Sequence, residues 1–463
     1  QQQQQQQQQQ PEDYQQRFVD WIRAGTNGYF HPSVVWKRLG PEGNESGPYA
    51  MHTLVDVKKG TPLLVVPRGY VLDSYQTYDT CTTVARMLEE YEQKQEDSLF
   101  APYLSYLFEK KEGGTSNGLL PTSWTTTGKH ILDQILDIEN KKSHENDTDD
   151  DDDDEDEDRD SNHNRDRDRY GRGLEPRYYE QPNVFEQCGP YFRGPLPNEA
   201  LAVHDDTNDS KRQRVQDAFL FHVSRSWTDK MVPILDMYNH RNGRWLNVES
   251  TTAHDLSQDI TAFAARDIQA GEQLQNSYSE CMDEDCDYGE IKYTYLTPHI
   301  LKDYGFVELY PRRWRLGGGG GGGGHKGLIG EIDEDPLNNG KKTFQWIFET
   351  PNQKDIEWLT HQLQRLQKME DKVRTQIEKH RKSSRKRSSN SHNNHEDTNA
   401  ENEEDMRFNI AHEAETLVEL YEGYVEVLHL AIEHQHDAVG LTYAEHRKEV
   451  QHAQQEFMEE QEL

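Results

Sequence analysis

The stretch Val232-Pro-Ile-Leu-Asp-Met-Tyr-Asn-His240 joins a short apolar run to an Asn-His pair. Residues 232–235 predict a buried strand, because short apolar runs of this kind fit the interior of a sheet. Asn239 and His240 therefore come just after an apolar strand. Asp236 is predicted to be a carboxylate that fixes the adjoining loop. His240 fits a structural role, in which its ring anchors a neighbouring loop, better than the role of a general base.

Three further motifs lie on either side of this stretch. Upstream are Glu45-Ser-Gly-Pro-Tyr-Ala50 and, at the end of a helix predicted over residues 215–228, the pair Ser224-Arg225. Downstream, the run 264–274 contains Gly271-Glu272 and leads to Tyr278, and the segment 301–307 contains Tyr-Gly-Phe. Each motif alone is weak, since an Asn-His pair occurs by chance in many chains. Asp-x-x-Asn-His, Gly-Glu-x5-Tyr and Tyr-Gly-Phe, in that order, form a strong signal.

In order and spacing these motifs resemble the SET-domain protein methyltransferases, and in particular the branch of the Rubisco large-subunit methyltransferase. The resemblance covers residues 14–310 in pieces. It includes segments similar to the helical insert of that family: Leu88-Glu89, Ser98, Pro102-Tyr-Leu104, Pro121 and Trp124. The resemblance implies an α+β fold. A SET β-domain of small sheets with a threaded C-terminal segment would be split by a helical insertion and followed by a mostly α-helical domain.

The resemblance also implies S-adenosyl-L-methionine as the cofactor, with no metal. The residues that would bind the cofactor are Glu45, Ser46, Gly47, Arg225, Asn239, His240 and Phe306. Tyr304 would line the channel of the target side chain. The first loop departs from the family at Glu45, where glycine is usual, and at Pro48, where an aliphatic residue is usual. Each of these motifs also has an alternative without a role in binding. The first loop would be a surface turn, Arg225 a surface arginine, and Tyr-Gly-Phe a turn whose aromatic side chains pack in the core.

Tyr278 is the predicted catalytic residue. Only the neutral form of a lysine amine is nucleophilic, and its pKa in water is about 10.4. In the SET enzymes that this chain resembles, the target amine enters a narrow channel opposite the methyl donor. Desolvation in that channel, beside the positively charged sulfur of the donor, would lower the pKa of the amine. The tyrosine hydroxyl would then orient the amine for in-line attack. The alternative is a core tyrosine at the end of a strand.

The resulting hypothesis is a protein methyltransferase that acts on lysine of a non-histone protein. Two alternatives stay open: a SET-domain adaptor that has lost activity, and a histidine N-methyltransferase, which shares the fold and the cofactor. The partner would be a protein substrate with a basic segment, because the chain of 463 residues has a formal net charge of −34. That acidity argues against nucleic acid as the main partner.

Composition excludes two further classes. No window approaches about 18 consecutive apolar residues, so no membrane-spanning helix is expected. Four cysteines in 463 residues are too few for a disulfide-knit scaffold. Cys281 and Cys286 are predicted to be free thiols, because two thiolates cannot complete a tetrahedral zinc site. The chain begins with glutamine, which indicates a fragment or a processed product. A cytoplasmic or nuclear location is favoured over the secretory pathway.

Biased segments divide the chain. The predicted organisation is a disordered polyglutamine region 1–13, SET segments 14–72 and 229–310, an insertion 73–228 with an acidic tract 140–175, a glycine-rich linker 311–340, and a helical docking domain 341–463 with a disordered stretch 380–405. Residues 145–160 alone carry thirteen acidic side chains. Such compositions cannot bury enough apolar surface to order themselves. The basic run 379–387 fits a nuclear signal or a solvated helix end equally well.

Two local predictions concern the β-rich parts. Residues 51–57 and 62–67 flank Lys58-Lys-Gly60, which predicts a hairpin. A short helix is predicted over residues 14–25, because Phe18, Trp21 and Ile22 share one helical face.

Overall fold

The computed structural model describes two compact units of the chain. The described residues are 11–38, 49–74, 79–109, 119–136, 184, 188, 209–227, 230–251, 258–278, 296–316, 328–335, 340–347, 350–390 and 400–437. The first unit takes in residues 1–117, 182–278 and 449–463, and the second takes in residues 118–181 and 279–448. The polyglutamine run, the acidic tract, the glycine run, Cys281 and Cys286 lie outside the described residues.

The first unit combines helices with several small sheets. Its helices are α1 (Pro11–Ala24), α2 (Thr80–Glu89), α3 (Ala101–Glu109) and α5 (Asp209–Arg225). Its strands are β1 (Tyr29–Phe30), β2 (Val34–Arg38), β3 (Tyr49–Thr53), β4 (Pro62–Val66), β5 (Ser226–Trp227), β6 (Lys230–Met231), β7 (Asn239–His240), β8 (Val248–Ser250), β9 (Ile260–Ala264) and β10 (Gln275–Asn276). A four-stranded antiparallel sheet has the order β1-β4-β9-β8, and β7 pairs with β10 in parallel. The mixture of helices and small sheets agrees with the expected α+β class.

The predicted hairpin around Lys58-Lys-Gly60 is wrong. Strand β3 pairs with β2, while β4 pairs with β1 and β9. The chain between β3 and β4 is tied instead to the segment after β9, where Val57 and Ile268 exchange backbone hydrogen bonds of 2.8 Å. A turn signal and an apolar pattern do not specify which strand becomes the neighbour, because any antiparallel partner buries the same face.

The predicted strand 232–235 is also wrong. Strand β6 ends at Met231, and a single 3-10 turn over Leu235–Met237 follows. Ile234 has a φ of +68° immediately before this turn. The apolar side chains are still buried, and this explains the error: a short apolar run indicates burial without fixing the backbone conformation.

The helical predictions for this unit are closer to the structure. Helix α1 matches the expected helix 14–25 and buries Phe18 and Ile22. Helix α5 ends at Arg225, within the expected helix 215–228. Helix α2 begins at an Asp79 cap, whose carboxylate accepts the backbone N–H groups of Cys81 and Thr82.

Cys81 and Cys188 form a disulfide across 107 residues of sequence. Both cysteines are buried. The N–H of Cys188 donates to the carbonyl of Val184, and the N–H of Val184 donates to the side chain of Gln216 on α5. The disulfide therefore attaches the start of α2 to a short segment that is hydrogen bonded to α5.

The second unit contains a three-stranded sheet and two long helices. Its elements are α4 (Thr126–Leu136), α6 (Thr297–Tyr304), β11 (Arg312–Arg315), β12 (Ile329–Asp335), β13 (Lys341–Ile347), α7 (Gln353–Asn390) and α8 (Ala400–Glu433). Strand β12 is central and antiparallel to both neighbours. A core of aromatic and aliphatic side chains joins α4, the sheet, α7 and α8.

Three predicted boundaries differ from this arrangement. Helix α4, assigned to the insertion 73–228, buries its apolar face in the core of the second unit. The predicted linker 311–340 holds strands β11 and β12, and the predicted helical domain begins with strand β13. Helices α7 and α8 extend into both ends of the predicted disordered stretch 380–405. The glycine run indicated a linker, but the apolar alternation on both sides of it belongs to strands of one sheet.

Because the His299 ring is largely buried without its second proton, we expect the protein to lose stability in acid. Nδ1 of His299 accepts the N–H of Leu296 at 2.9 Å, which requires the unprotonated ring. Burial, together with the charges of Lys302 and Arg315, lowers its pKa from 6.5 to about 3. Between pH 6.5 and about pH 3, His299 is protonated in the unfolded chain but not in the folded one. Its contribution to the free energy of unfolding is therefore full above about pH 6.5 and is lost as the pH falls toward 3.

The slope expected from this group is at most about 1.4 kcal/mol per pH unit. Urea unfolding from pH 7 to pH 4 measures it. In His299→Gln the free energy of unfolding should fall less steeply with acid than in the wild type. Equal slopes in the two proteins would contradict this assignment.

None of the described helices is both long and apolar enough to cross a membrane.

Candidate functional site

Tyr278 lies in the first unit with both of its polar groups engaged. Its hydroxyl donates to the backbone carbonyl of Tyr238 at 2.6 Å. Its backbone N–H donates to Nδ1 of His240 at 2.9 Å, and the two rings lie 5.1 Å apart. His240 therefore anchors the segment that carries Tyr278, which is the structural role expected for it. Because Nδ1 accepts, a neutral His240 carries its proton on Nε2.

A turn before Tyr278 explains the Gly-Glu-x5-Tyr spacing. Gly271 has a φ of +84°, a backbone conformation that favours glycine. The carboxylate of Glu272 accepts the N–H of Gln269 at 3.0 Å, which ties the turn together. Beyond the turn, the fully buried Asn247 accepts the N–H of Gln275 at 2.7 Å. Strand β10 is thus held beside the start of β8 while it pairs with β7, and the chain then reaches Tyr278.

Arg225, Asp236 and Tyr103 form a buried polar cluster beside this segment. Nη1 of Arg225 lies 3.3 Å from Oδ2 of Asp236 and 3.4 Å from its carbonyl oxygen. The hydroxyl of Tyr103, on helix α3, donates to the same Oδ2 at 2.7 Å. The Asp236 side chain is only 2% exposed. Arg225 is thus not the surface arginine of the alternative interpretation, and Asp236 is held as the loop-fixing carboxylate that was expected.

The charges in this cluster act on each other. Burial raises the pKa of Asp236, and Arg225 only partly offsets that effect. Burial alone would lower the pKa of Arg225, but the combined attraction of Asp236 and the neighbouring tyrosine hydroxyls outweighs burial, and the pKa is raised. Burial also raises the pKa of Tyr278 well above its ordinary value of 10. Tyr278 is therefore a neutral phenol at neutral pH, which excludes a resting phenolate base.

Three polar side-chain groups of residues 236–239 lack a hydrogen-bond partner within the part of the chain that the structure describes. Oδ1 of Asp236 and the hydroxyl of Tyr238 are buried without a partner there. The half-buried side-chain amide of Asn239 likewise makes no hydrogen bond with a described residue. Buried polar groups in proteins are normally paired. An unpaired buried carboxylate oxygen, such as Oδ1 of Asp236, is typical of a site that receives a ligand or water.

The expected residues of the last motif lie in the second unit. Tyr304 ends helix α6, and its ring lies 6.4 Å from that of Phe306. Gly305 between them closes the helix with a φ of +81°, and a Cβ there would lie 2.7 Å from the carbonyl oxygen of Leu119. The glycine is therefore needed for the backbone. The roles of Tyr304 in the target channel and of Phe306 on the adenine stay predictions.

The loop residues Glu45, Ser46 and Gly47 lie outside the described residues, as does Pro48. Arg225, Asn239, His240 and Tyr278 all lie in the first unit. The pairing of β7 with β10 aligns Asn239 with Gln275 and brings His240 to Tyr278. Four of the expected site residues thus share one neighbourhood.

Sequence reasoning missed three parts of this neighbourhood. Tyr103, which donates to Asp236, stands out in the sequence only as part of a helical segment. Asn247, which accepts the N–H of Gln275, belongs to no motif. The carbonyl of Tyr238, which receives the Tyr278 hydroxyl, is a backbone group and leaves no signal in residue type. A buried polar residue inside an apolar helical face, such as Tyr103, is the signal that could have been used.

This arrangement presents hydrogen-bond acceptors. The Tyr278 hydroxyl has committed its proton to Tyr238, so its oxygen can only accept a further hydrogen bond from an incoming group. Oδ1 of Asp236 is a buried acceptor that has no partner among the described residues. An N–H donor such as an amine suits these atoms better than an anion does. The described residues include no group of three or more His, Cys, Asp or Glu side chains that could hold a metal ion.

Comparison with known proteins gives matches to solved structures only. No protein-family model and no curated protein matches the chain. A structure titled as the SET domain of LSMT bound to lysine and AdoHcy is 14% identical, covers 94% of this chain and 95% of its own, and has a TM-score of 0.42. A structure of Rubisco LSMT bound to AdoMet is 13% identical, covers 94% of this chain and 96% of its own, and has a TM-score of 0.41. A third, with sinefungin and monomethyllysine, is 14% identical with a TM-score of 0.40.

Proposed function

We propose that this protein is an S-adenosyl-L-methionine-dependent protein methyltransferase of the SET class, acting on lysine of a non-histone protein. The observation that carries the proposal is the hydrogen bond from the Tyr278 hydroxyl to the Tyr238 carbonyl. Because this hydrogen bond uses the phenol proton, the oxygen would act as an acceptor toward an incoming group. The Gly-Glu-x5-Tyr motif predicts the catalytic tyrosine at this position of the chain.

The residues of the first unit fit the proposed cofactor. Asn239 offers an amide with two donors and one acceptor, none used by a described residue. The His240 ring contacts Tyr278 through Nδ1 and lies 3.4 Å from the Asn242 amide at Nε2, so its contribution would come from its backbone. The loop 45–47 would hold the methionine end. When bound, S-adenosyl-L-methionine would supply a methyl group on a positively charged sulfur.

Tyr278 would position the target nitrogen. A neutral amine offers N–H groups, and the Tyr278 oxygen would accept one of them and align the nitrogen lone pair. Burial in this region disfavours charge, so the lysine ammonium would lose its proton more readily than in water. The neutral state of Tyr278 at ordinary pH keeps this acceptor in one protonation state.

The second unit would dock the protein substrate. Helices α7 and α8 pack along each other and supply a long surface. With 85 acidic against 51 basic residues, the chain favours a substrate with a basic segment, because complementary charge speeds encounter.

Calorimetry with S-adenosyl-L-methionine tests the proposal. The wild-type chain should bind the cofactor at a one-to-one ratio. Asn239→Ala should bind it about tenfold more weakly, the effect of losing one or two hydrogen bonds. Arg244→Ala, at an exposed position four residues beyond β7, is the matched control and should bind as the wild type does.

Absence of binding to the wild-type chain would favour the adaptor, which need not hold the cofactor, and would overturn the proposed activity. Equal affinity of Asn239→Ala and the wild type would remove Asn239 from the cofactor site.

A further inference from the structure

Tyr103 is a fully buried tyrosine whose hydroxyl reaches across 133 residues of sequence. Its ring stacks on Phe18 at a centroid distance of 6.1 Å. Its hydroxyl donates to Oδ2 of Asp236 at 2.7 Å. A phenylalanine would fill the same space, so packing alone does not explain the hydroxyl.

Asp236 holds a backbone turn that is unfavourable in isolation. It lies in the 3-10 turn Leu235–Met237, directly after Ile234, whose φ of +68° is rare for a β-branched residue. Such a conformation persists only where the surroundings impose it. Two side chains do so through Asp236: Arg225, from the end of α5, and Tyr103, from α3.

The turn ends at Tyr238, whose carbonyl oxygen receives the hydroxyl of Tyr278 at 2.6 Å. Asp236 and Tyr238 are two residues apart. A shift of the turn therefore moves the carbonyl that orients the Tyr278 hydroxyl. The Tyr278 N–H is fixed separately, by His240, so the hydroxyl end of the side chain depends on the turn.

We propose that Tyr103 is a positioning residue for Tyr278: through Asp236 it fixes the turn 234–238, and so the place and direction of the Tyr278 hydroxyl. This role rests on the proposed function only in its effect on turnover. With this role for Tyr103, helix α3 contributes to the position of the Tyr278 hydroxyl as well as to the core.

The test compares Tyr103→Phe with the wild type and with Tyr70→Phe, a partly buried tyrosine of the same unit that stacks on Trp21. The ¹³Cζ resonance of Tyr278 is recorded in ligand-free protein with labelled tyrosine, and is assigned by its absence in Tyr278→Phe. In Tyr103→Phe this resonance should shift, while Tyr70→Phe should leave it in place. Turnover of Tyr103→Phe should fall about tenfold in kcat with KM for the protein substrate nearly unchanged, because alignment is lost and binding is not.

An unshifted Tyr278 resonance in folded Tyr103→Phe, as judged by circular dichroism, would overturn the positioning role. A kcat within twofold of the wild type would also overturn it. The resonance needs neither cofactor nor substrate, so it separates the two proposals. If the wild-type chain transfers no methyl group while the resonance still shifts, the proposed function fails and the structural link from Tyr103 to Tyr278 is supported.

Discussion

Tyr278→Phe is expected to lower methyl transfer by on the order of 10²-fold while leaving the fold and cofactor affinity in place. Phenylalanine keeps the ring and its contact with His240, and the backbone N–H still donates to that histidine. The change removes only the hydroxyl, which donates to the Tyr238 carbonyl and offers its oxygen to the target nitrogen. Single-turnover rates, calorimetry and melting temperature on one preparation measure the three quantities.

Tyr70→Phe is the control, since it removes a hydroxyl elsewhere in the same unit. It should match the wild type in all three measurements. A structural tyrosine at position 278 predicts the opposite pattern, with a lower melting temperature and normal turnover of the folded molecules. Wild-type turnover in well-folded Tyr278→Phe would remove this residue from the mechanism.

Loss of the Cys81–Cys188 disulfide should cost the first unit about 2–5 kcal/mol of unfolding free energy. The bond closes a loop of 107 residues, and long loops restrict the unfolded chain most. Cys81→Ser with Cys188→Ser should therefore lower the melting temperature by on the order of 10 °C. Differential scanning calorimetry of the wild type and the double variant measures the change.

A reducing agent provides the matched control for this prediction. It should lower the melting temperature of the wild type toward that of the double variant and leave the double variant unchanged. Equal melting temperatures of the oxidised wild type and the double variant would contradict the structural role of the bond. A bond that persists in protein purified from cells would point to an oxidising compartment, where disulfides are stable.

Local signals predicted what depends on local structure. The helix around Phe18 and the C-terminal part of α5 followed from the spacing of apolar side chains, although α5 ends three residues before the predicted bound of 228. The Gly271-Glu272 turn carries its own chemistry, a positive φ and a carboxylate bound to a nearby N–H group, and could be placed from sequence. Tyr278 was identified through the family resemblance, whose motif places a tyrosine at a fixed distance from Gly271-Glu272.

Pairings between distant segments were not predictable in the same way. One of the two partners of β4 is β9, about 200 residues away, and no local pattern selects it. The assignment of α4 to the second unit depends on which apolar surface its face meets. The Tyr103–Asp236 bond and the Cys81–Cys188 bond are likewise products of tertiary structure.

The proposed methyltransferase activity is measured by the transfer of a labelled methyl group to protein. Purified protein is incubated with methyl-labelled S-adenosyl-L-methionine and a cell extract, and the labelled residue is located by mass spectrometry. With the wild-type chain, label is expected on a lysine side-chain nitrogen of a protein substrate, and with Tyr278→Phe almost none is expected. Label on a histidine would contradict the lysine assignment while keeping the class of enzyme, and a folded wild-type chain that labels no protein would contradict the proposed methyltransferase activity.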